Sequence, residues 1–134
     1  MKVFACTLLA DGSSDRVLQP ILSWLLEVHC PFPYAIEYAP IHRGSLSQRV
    51  AQALQDFPCD LLFVHRDAEG AKPADRQLEV DAASPAELNS AHVVAVIPVR
   101  MTEAWLLFDE GAIRRAADNP NGSATLNLPK LTNV

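Results

Sequence analysis

The chain has 134 residues, of which 49% are hydrophobic and 20% are charged. This length and balance fit one compact domain with one core, and they exclude a chain that is disordered throughout. The formal net charge of −5 argues against a protein that coats polyanions with a basic surface. It does not exclude an enzyme that meets phosphate through a bound metal ion.

The predicted elements alternate between strand and helix along the chain. Apolar runs predict strands at 3–10, 60–66 and 92–97, and alternation between two prolines predicts a further strand at 34–39. Apolar residues at helical spacing, or polar helix-tolerant stretches, predict helices at 14–28, 45–56, about 74–90 and 101–108, the last extended by 110–117. We expect Pro20 to kink or delay the first helix and Pro85 to split the third. Trp24 falls on the apolar face of the first helix and is interpreted as a core or interface residue.

This alternation with short loops predicts an α/β domain with a four-stranded, mostly parallel sheet flanked by helices, a three-layer Rossmann-like arrangement. We expect the domain to cover residues 1–118. Residues 119–134 are rich in turn formers and are expected to form an irregular tail, as if a longer chain were cut short or completed by a partner domain. In such sheets the ligand crevice lies at the carboxyl ends of the strands.

Acidic residues stand at or just beyond the ends of three predicted strands. Asp11 follows the first strand, Asp67 and Glu69 follow the third, and Glu103 lies just past the fourth. Carboxylates from separate strand ends would meet in one crevice, where they repel one another unless a cation lies between them. Hard divalent cations such as Mg²⁺ take oxygen ligands, so this pattern predicts a metal site.

Each of these residues also has a structural interpretation. Asp11 and Glu103 fit turn formers or first-turn acids, and Asp15 is more simply a residue that favours the helix dipole than a metal ligand. Strand alternation places His65 and Asp67 on the same side. His65 is therefore either a proton donor to a leaving oxygen or a half-buried histidine at a strand end.

Two arginines are candidates for binding substrate phosphate. Arg100, in the turn before Glu103, either binds phosphate or neutralises that acid. Arg43, in the loop before Gly44, either binds phosphate or is an exposed surface residue.

Three segments together resemble the Toprim (topoisomerase–primase) fold family: LLADGSSDRVLQPIL, LLFVHRDAEG and VIPVRMTEAWLLFD. The likeness covers about residues 3–109. It is closest to small stand-alone bacterial Toprim-related proteins of unknown function and to nuclease modules of the overcoming-lysogenization-defect type. The resemblance implies that Asp11 replaces the family's strand-one Glu, which handles protons or reaches the metal. It also implies that Asp67 and Glu69 replace the Asp-x-Asp metal ligands and that Glu103 is the downstream acid.

The resemblance implies a phosphoryl-transfer enzyme that depends on Mg²⁺ or Mn²⁺, in the first instance a nuclease with DNA or RNA as substrate. Its catalytic residues would be Asp11, Asp67 and Glu103, and Glu69 would be a further metal ligand. We expect a cytoplasmic protein without a membrane partner, because the three cysteines lack metal or disulfide spacing and no run approaches the ~18 apolar residues of a membrane span. A homodimer is a further expectation.

Two other functions stay open. Asp11 is one methylene shorter than the family's Glu, and Glu69 stands where the family has Asp. These departures favour a non-catalytic, Toprim-shaped module that binds a partner or a nucleotide. A phosphoacceptor receiver domain also clusters acids after strands one and three, but it needs a hydroxyl after strand four, where Pro98 stands.

Overall fold

The computed structural model describes residues 2–86, 92–99 and 109–128. Within these ranges the strands and α-helices alternate as β1 (Phe4–Leu9), α1 (Leu18–His29), β2 (Tyr34–Ala39), α2 (Leu46–Asp56), β3 (Leu61–His65), α3 (Pro73–Ala83), β4 (Val93–Val96) and α4 (Glu110–Ala116). A short 3₁₀ helix (Ser13–Val17) precedes α1. Each strand lies within one residue of its predicted range. Arg100, Glu103 and the predicted helix at 101–108 lie outside the described residues.

The strands form one sheet in the order β2-β1-β3-β4, and all of its pairings are parallel. β1 pairs with β2 from Phe4 opposite Tyr34, and with β3 from Cys6 opposite Leu61. The predicted α/β fold class with a four-stranded sheet is therefore confirmed. The chain runs outward from β1 to β2 and then returns to β3 on the other side of β1. The strand order thus reverses between β1 and β3, at the kind of switch point where open α/β sheets bind ligands.

Helices cover both faces of the sheet. On the face that we call the α1 face, Leu18, Leu22 and Leu26 of α1 pack with sheet residues Cys6, Leu8 and Phe63. On the α2–α3 face, residues of α2 and α3 pack with alternate strand residues: Val50, Ala53, Val80 and Ala83 with Leu9, Leu62 and Val64. Because neighbouring strand residues point to opposite faces, consecutive residues of β3 enter different layers of the domain.

The start of α1 is shaped by Pro20, as predicted. Residues Ser13–Val17 form the 3₁₀ turn, and the regular helix begins only at Leu18. Pro20 then lies in the first turn of α1, where a missing N–H leaves no helical hydrogen bond unmade. Trp24 is 61% exposed on α1, which contradicts a core position, so only its interpretation as an interface residue stays a prediction.

The remaining elements end where their sequence stops favouring a helix. α3 ends at Ala83, shortly before Pro85. Residues 119–128 form turns and bends without helix or strand. Among the described residues, no helix is long and apolar enough to cross a membrane.

Candidate metal centre

Asp15, His65 and Asp67 meet at the carboxyl edge of the sheet, where β1 and β3 end side by side. One ligand atom from each side chain lies within 4.8 Å of the other two. We call these residues the metal cluster. Ligands on opposite sides of one ion with bonds of ~2.1 Å are about 4.2 Å apart, so small side-chain shifts bring all three groups into one coordination shell.

His65 lies at the centre of the metal cluster and is fully buried. Its Nε2 is 2.9 Å from Asp67 Oδ1, and its Nδ1 is 3.5 Å from Asp15 Oδ2. The backbone N–H of Asp11 points at Nδ1, with a distance of 3.4 Å between the two nitrogens. This contact favours the tautomer that carries its hydrogen on Nε2, from which the ring donates to Asp67. The ring is therefore held between the two carboxylates.

Asp15 reaches the cluster because the chain folds back tightly after β1. Gly12, the residue before the 3₁₀ turn, donates its backbone N–H to Asp15 Oδ2 at 3.1 Å. In return, the backbone N–H of Asp15 donates to the Gly12 carbonyl at 3.2 Å. Asp15 is only 5% exposed, and no Lys or Arg of the described ranges lies within ion-pair distance of it. A buried carboxylate without a cationic partner is costly, so this donor set fits a cation.

Tyr38, near the end of β2, supports the turn that carries Asp15. Its hydroxyl donates to the Gly12 carbonyl at 3.2 Å, and the Arg16 guanidinium lies 5.5 Å from the centre of its ring. Partial burial, and then the charge of Asp15, raise the pKa of Tyr38. The phenol therefore keeps its proton at neutral pH and remains a donor to Gly12.

Asp67 begins the turn from β3 to α3, and its backbone is tied to two neighbouring segments. The Arg76 guanidinium donates through Nε to the Asp67 carbonyl at 3.0 Å. The next residue, Ala68, donates its N–H to the Pro98 carbonyl beyond β4 at 3.0 Å. The bond to Pro98 extends the pairing of β3 with β4 past its last residue. Both bonds fix the backbone from which the Asp67 side chain starts.

Glu69 lies in the same turn but is not among the residues that meet in the metal cluster. It adopts a left-handed conformation with φ of 48°, and Gly70 follows with φ of 87°. The side chain of Glu69 is exposed to solvent. The predicted role of Glu69 as a metal ligand is therefore not reflected in the geometry of this turn, and it stays a prediction.

A second group of charged residues lies on the α2–α3 face of the same edge. We call it the arginine cluster, and its members are Asp11, Arg49, Arg66, Arg76 and Glu79. Arg49, on α2, is buried and has its Nη1 3.3 Å from Asp11 Oδ1. The same guanidinium donates to the backbone carbonyls of Ala10 and Ile41. Arg49 thus joins α2 to the ends of β1 and β2.

Arg66 continues the arginine cluster toward α3. Its Nη1 is 3.7 Å from Asp11 Oδ1, and its Nη2 is 3.1 Å from Glu79 Oε2. Arg76 holds Glu79 from the other side at 2.8 Å. The Nε of Arg66 is buried and has no hydrogen-bond partner among the described residues. Both acids of this cluster therefore face more than one guanidinium.

The structure separates residues that the sequence grouped together. Asp67 lies in the metal cluster. Asp11 lies beside it through its backbone, but its carboxylate is paired with Arg49 and Arg66, so its predicted role toward the metal stays a prediction. Arg43 is exposed in the loop before α2, which agrees with the surface interpretation and leaves its phosphate role untested.

The sequence pattern does not correctly predict the positions of three residues at this edge of the sheet. His65 is fully buried, so its interpretation as a half-buried histidine is wrong. Asp15 was interpreted as a first-turn acid, although its spacing of four from Asp11 across a Gly-Ser-Ser turn was a usable signal. Arg49 was given no role, although a charged residue on the apolar stripe of α2 indicates a buried ion pair.

The fold is that of a Rossmann-like α/β domain, and the metal cluster at the carboxyl edge of its sheet is a candidate metal centre at the switch point. Comparison of the chain with models of known families, with curated proteins and with solved structures finds no match. The functional interpretation therefore depends on the geometry of the metal cluster and the charges around it.

Proposed function

We propose that the protein is a divalent-metal-dependent phosphoryl-transfer enzyme of the Toprim kind, and specifically a nuclease. The position of the metal cluster is the observation that supports this most. It lies at the carboxyl ends of the two central strands, where the strand order reverses and where open α/β sheets bind ligands. Asp15, His65 and Asp67 offer two carboxylates and one imidazole, a donor set suited to a divalent cation.

The electrostatics of the metal cluster support the same proposal. Asp15 is buried, and the nearest ionisable partner it has among the described residues is a histidine rather than a permanent cation. Asp67 lies on the other side of that histidine. Two negative carboxylates this close to one another repel unless a positive charge lies between them. A bound divalent ion supplies that charge.

A divalent ion in this site would polarise a phosphate oxygen and make an attacking water more acidic. The chain would contribute positioning and charge. Asp15, His65 and Asp67 would hold the ion. Arg66, partly exposed at the same edge, would bind a substrate phosphate oxygen, because a guanidinium matches phosphate geometry. Asp11 would accept a proton at its carboxylate, about a third of which is exposed.

Nucleic acid fits as the substrate only through this local site. The net charge of −5 argues against a broad basic surface, so sequence-independent binding through many phosphate contacts is expected to be weak. Recognition would then depend on the metal ion and the neighbouring guanidinium groups. We expect weak, metal-dependent affinity for short DNA or RNA.

Cleavage assays test the proposal. The purified chain is incubated with single- and double-stranded DNA and RNA in Mg²⁺, Mn²⁺ or EDTA. We expect cleavage only with a divalent ion, and a loss of at least about 100-fold in Asp67→Asn, the upper end of the effect of removing a residue that only orients metal ligands. Asp81→Asn, an exposed acid on α3, is the matched control and should keep full activity. Metal-dependent cleavage that survives Asp67→Asn would contradict the proposal.

A second candidate is a non-catalytic module that binds a nucleotide or a partner. The pairing of the Asp11 carboxylate with Arg49 and Arg66 favours it, because a strand-one acid that is held by two arginines is less available for proton transfer. Calorimetry with Mg²⁺ and Mn²⁺, combined with the cleavage assay, separates the two candidates. Metal binding without cleavage of any nucleic acid tested supports the module.

A further inference from the structure

We infer that His65 makes the metal cluster selective for first-row transition ions over Mg²⁺. The inference rests on the proposed metal centre and adds the class of ion that it takes. Mg²⁺ prefers a shell of oxygen atoms and keeps several of its waters. Imidazole favours later divalent ions, and affinity for sites with nitrogen ligands rises from Mn²⁺ to Co²⁺ and beyond.

The position of the imidazole carries the argument. Nε2 of His65 is 2.9 Å from Asp67 and Nδ1 is 3.5 Å from Asp15, so the ring lies between the two carboxylates. The side chain is fully buried, which leaves it little freedom to turn away. An ion shared by both carboxylates therefore meets the ring. Either the ring is a ligand, or it stands in the way of the ion.

The tautomer indicates which nitrogen is the ligand. Nδ1 and Asp15 Oδ2 are both acceptors, and their separation of 3.5 Å is close to the about 3.4 Å expected for two ligands of a tetrahedral ion with bonds of ~2.1 Å. The Asp11 amide nitrogen lies 3.4 Å from Nδ1, longer than a good hydrogen bond, so this N–H would not hold Nδ1 strongly against an ion.

The test compares three ions on the same protein. The full chain is stripped with EDTA and titrated by calorimetry with Mg²⁺, Mn²⁺ and Co²⁺. We expect affinity to increase in that order, with Co²⁺ bound at least about tenfold more tightly than Mg²⁺. Pulsed electron paramagnetic resonance of the Mn²⁺-loaded chain should show coupling to the nitrogen of one imidazole.

Two histidine variants sharpen the result. His65→Gln should lose the nitrogen coupling and about tenfold or more of the Co²⁺ affinity, while Mg²⁺ affinity changes less, because the amide oxygen suits the harder ion. His29→Gln, at the exposed end of α1, should keep both properties. The coupling measurement uses the unaltered chain, so it tests the inference even where His65→Gln does not fold.

The possible results separate this inference from the proposed function. Equal affinity for Mg²⁺ and Co²⁺ without nitrogen coupling would overturn the role of His65 and leave the metal centre standing. Binding of none of the three ions would overturn both. Nitrogen coupling that persists in His65→Gln would assign the ligand to another histidine and also reject the inference.

Discussion

The metal cluster and the arginine cluster lie on opposite faces of one sheet edge, and their carboxylates have different neighbours. In the arginine cluster, Asp11 and Glu79 each face two guanidinium groups. In the metal cluster, Asp15 and Asp67 stand on either side of one histidine. The chain thus supplies its own cations where α2 and α3 join the sheet. At the switch point, two carboxylates flank a histidine instead, and there we propose that a cation from outside binds and that chemistry takes place.

The largest expected effect concerns Arg49. Arg49→Met should lower the free energy of unfolding by about 3 kcal/mol, because Asp11 loses a charged partner and two backbone carbonyls lose a donor. Urea denaturation measures the loss. Arg43→Met, at an exposed position, should change stability by no more than about 0.5 kcal/mol. Equal losses in both variants would show that the arginine cluster is not structural.

Addition of a metal ion should stabilise the protein through the other cluster. At 100 times its dissociation constant, a bound ion raises the free energy of unfolding by about 2.7 kcal/mol. We expect this gain for Mn²⁺ or Co²⁺ with the unaltered chain and with Asp81→Asn. Thermal and urea unfolding with and without the ion measure it. A full gain in Asp15→Asn would place the ion elsewhere.

Without metal, Asp15→Asn should differ sharply from Arg49→Met. The amide oxygen still accepts the N–H of Gly12, and removal of one negative charge relieves repulsion with Asp67. We expect the free energy of unfolding in EDTA to change by less than about 1 kcal/mol, in either direction. A loss of unfolding free energy as large as that of Arg49→Met would show that the Asp15 carboxylate stabilises the fold without a metal ion.

Asp60 lies at the opposite edge of the sheet and serves as a comparison for the acids of the two clusters. Hydrogen bonds from Lys2 and from the Ala5 N–H lower the pKa of Asp60 below its ordinary value of 3.8. A lowered pKa in the folded state adds stability above the unfolded-state value and loses it as the pH falls through the folded-state value. Asp60→Asn should therefore be less stable than the unaltered chain at neutral pH, and the difference should shrink as the pH falls below 3.8. A difference that persists at low pH would assign the effect to packing rather than to charge.

The reactivity of the Cys6 thiol shows whether the α1 face stays packed in these variants. Burial, and to a smaller extent the neighbouring thiols, raise the pKa of the Cys6 thiol to about 11. Thiol reagents act on the thiolate, so we expect Cys6 to stay unmodified at pH 8 until the chain unfolds. Mass spectrometry after labelling measures this. Rapid modification of Cys6 in folded His65→Gln would mean that the substitution loosened the packing of the α1 face. The change in metal affinity of that variant would then be a result of the damaged packing.

Much of the fold could be predicted because its signals are local. The apolar run at 61–65 predicts β3 from adjacent residues, and Pro20 delays α1 through its own ring. The candidate site could be predicted only in part. Asp67 follows directly from its place after β3. Asp15 and His65 could not be joined from the sequence, because no local pattern states that the turn after β1 folds over the end of β3.

The sequence by itself determined which segments are strands and helices and which acids stand at strand ends, because these properties depend on neighbouring residues. Only the tertiary structure decided which acids share a partner. Asp11 meets Arg49 across 38 positions and the His65 ring across 54. Those meetings depend on the order β2-β1-β3-β4, which brings two distant strand ends together. They also depend on strand alternation, which sends His65 to one face and Arg66 to the other.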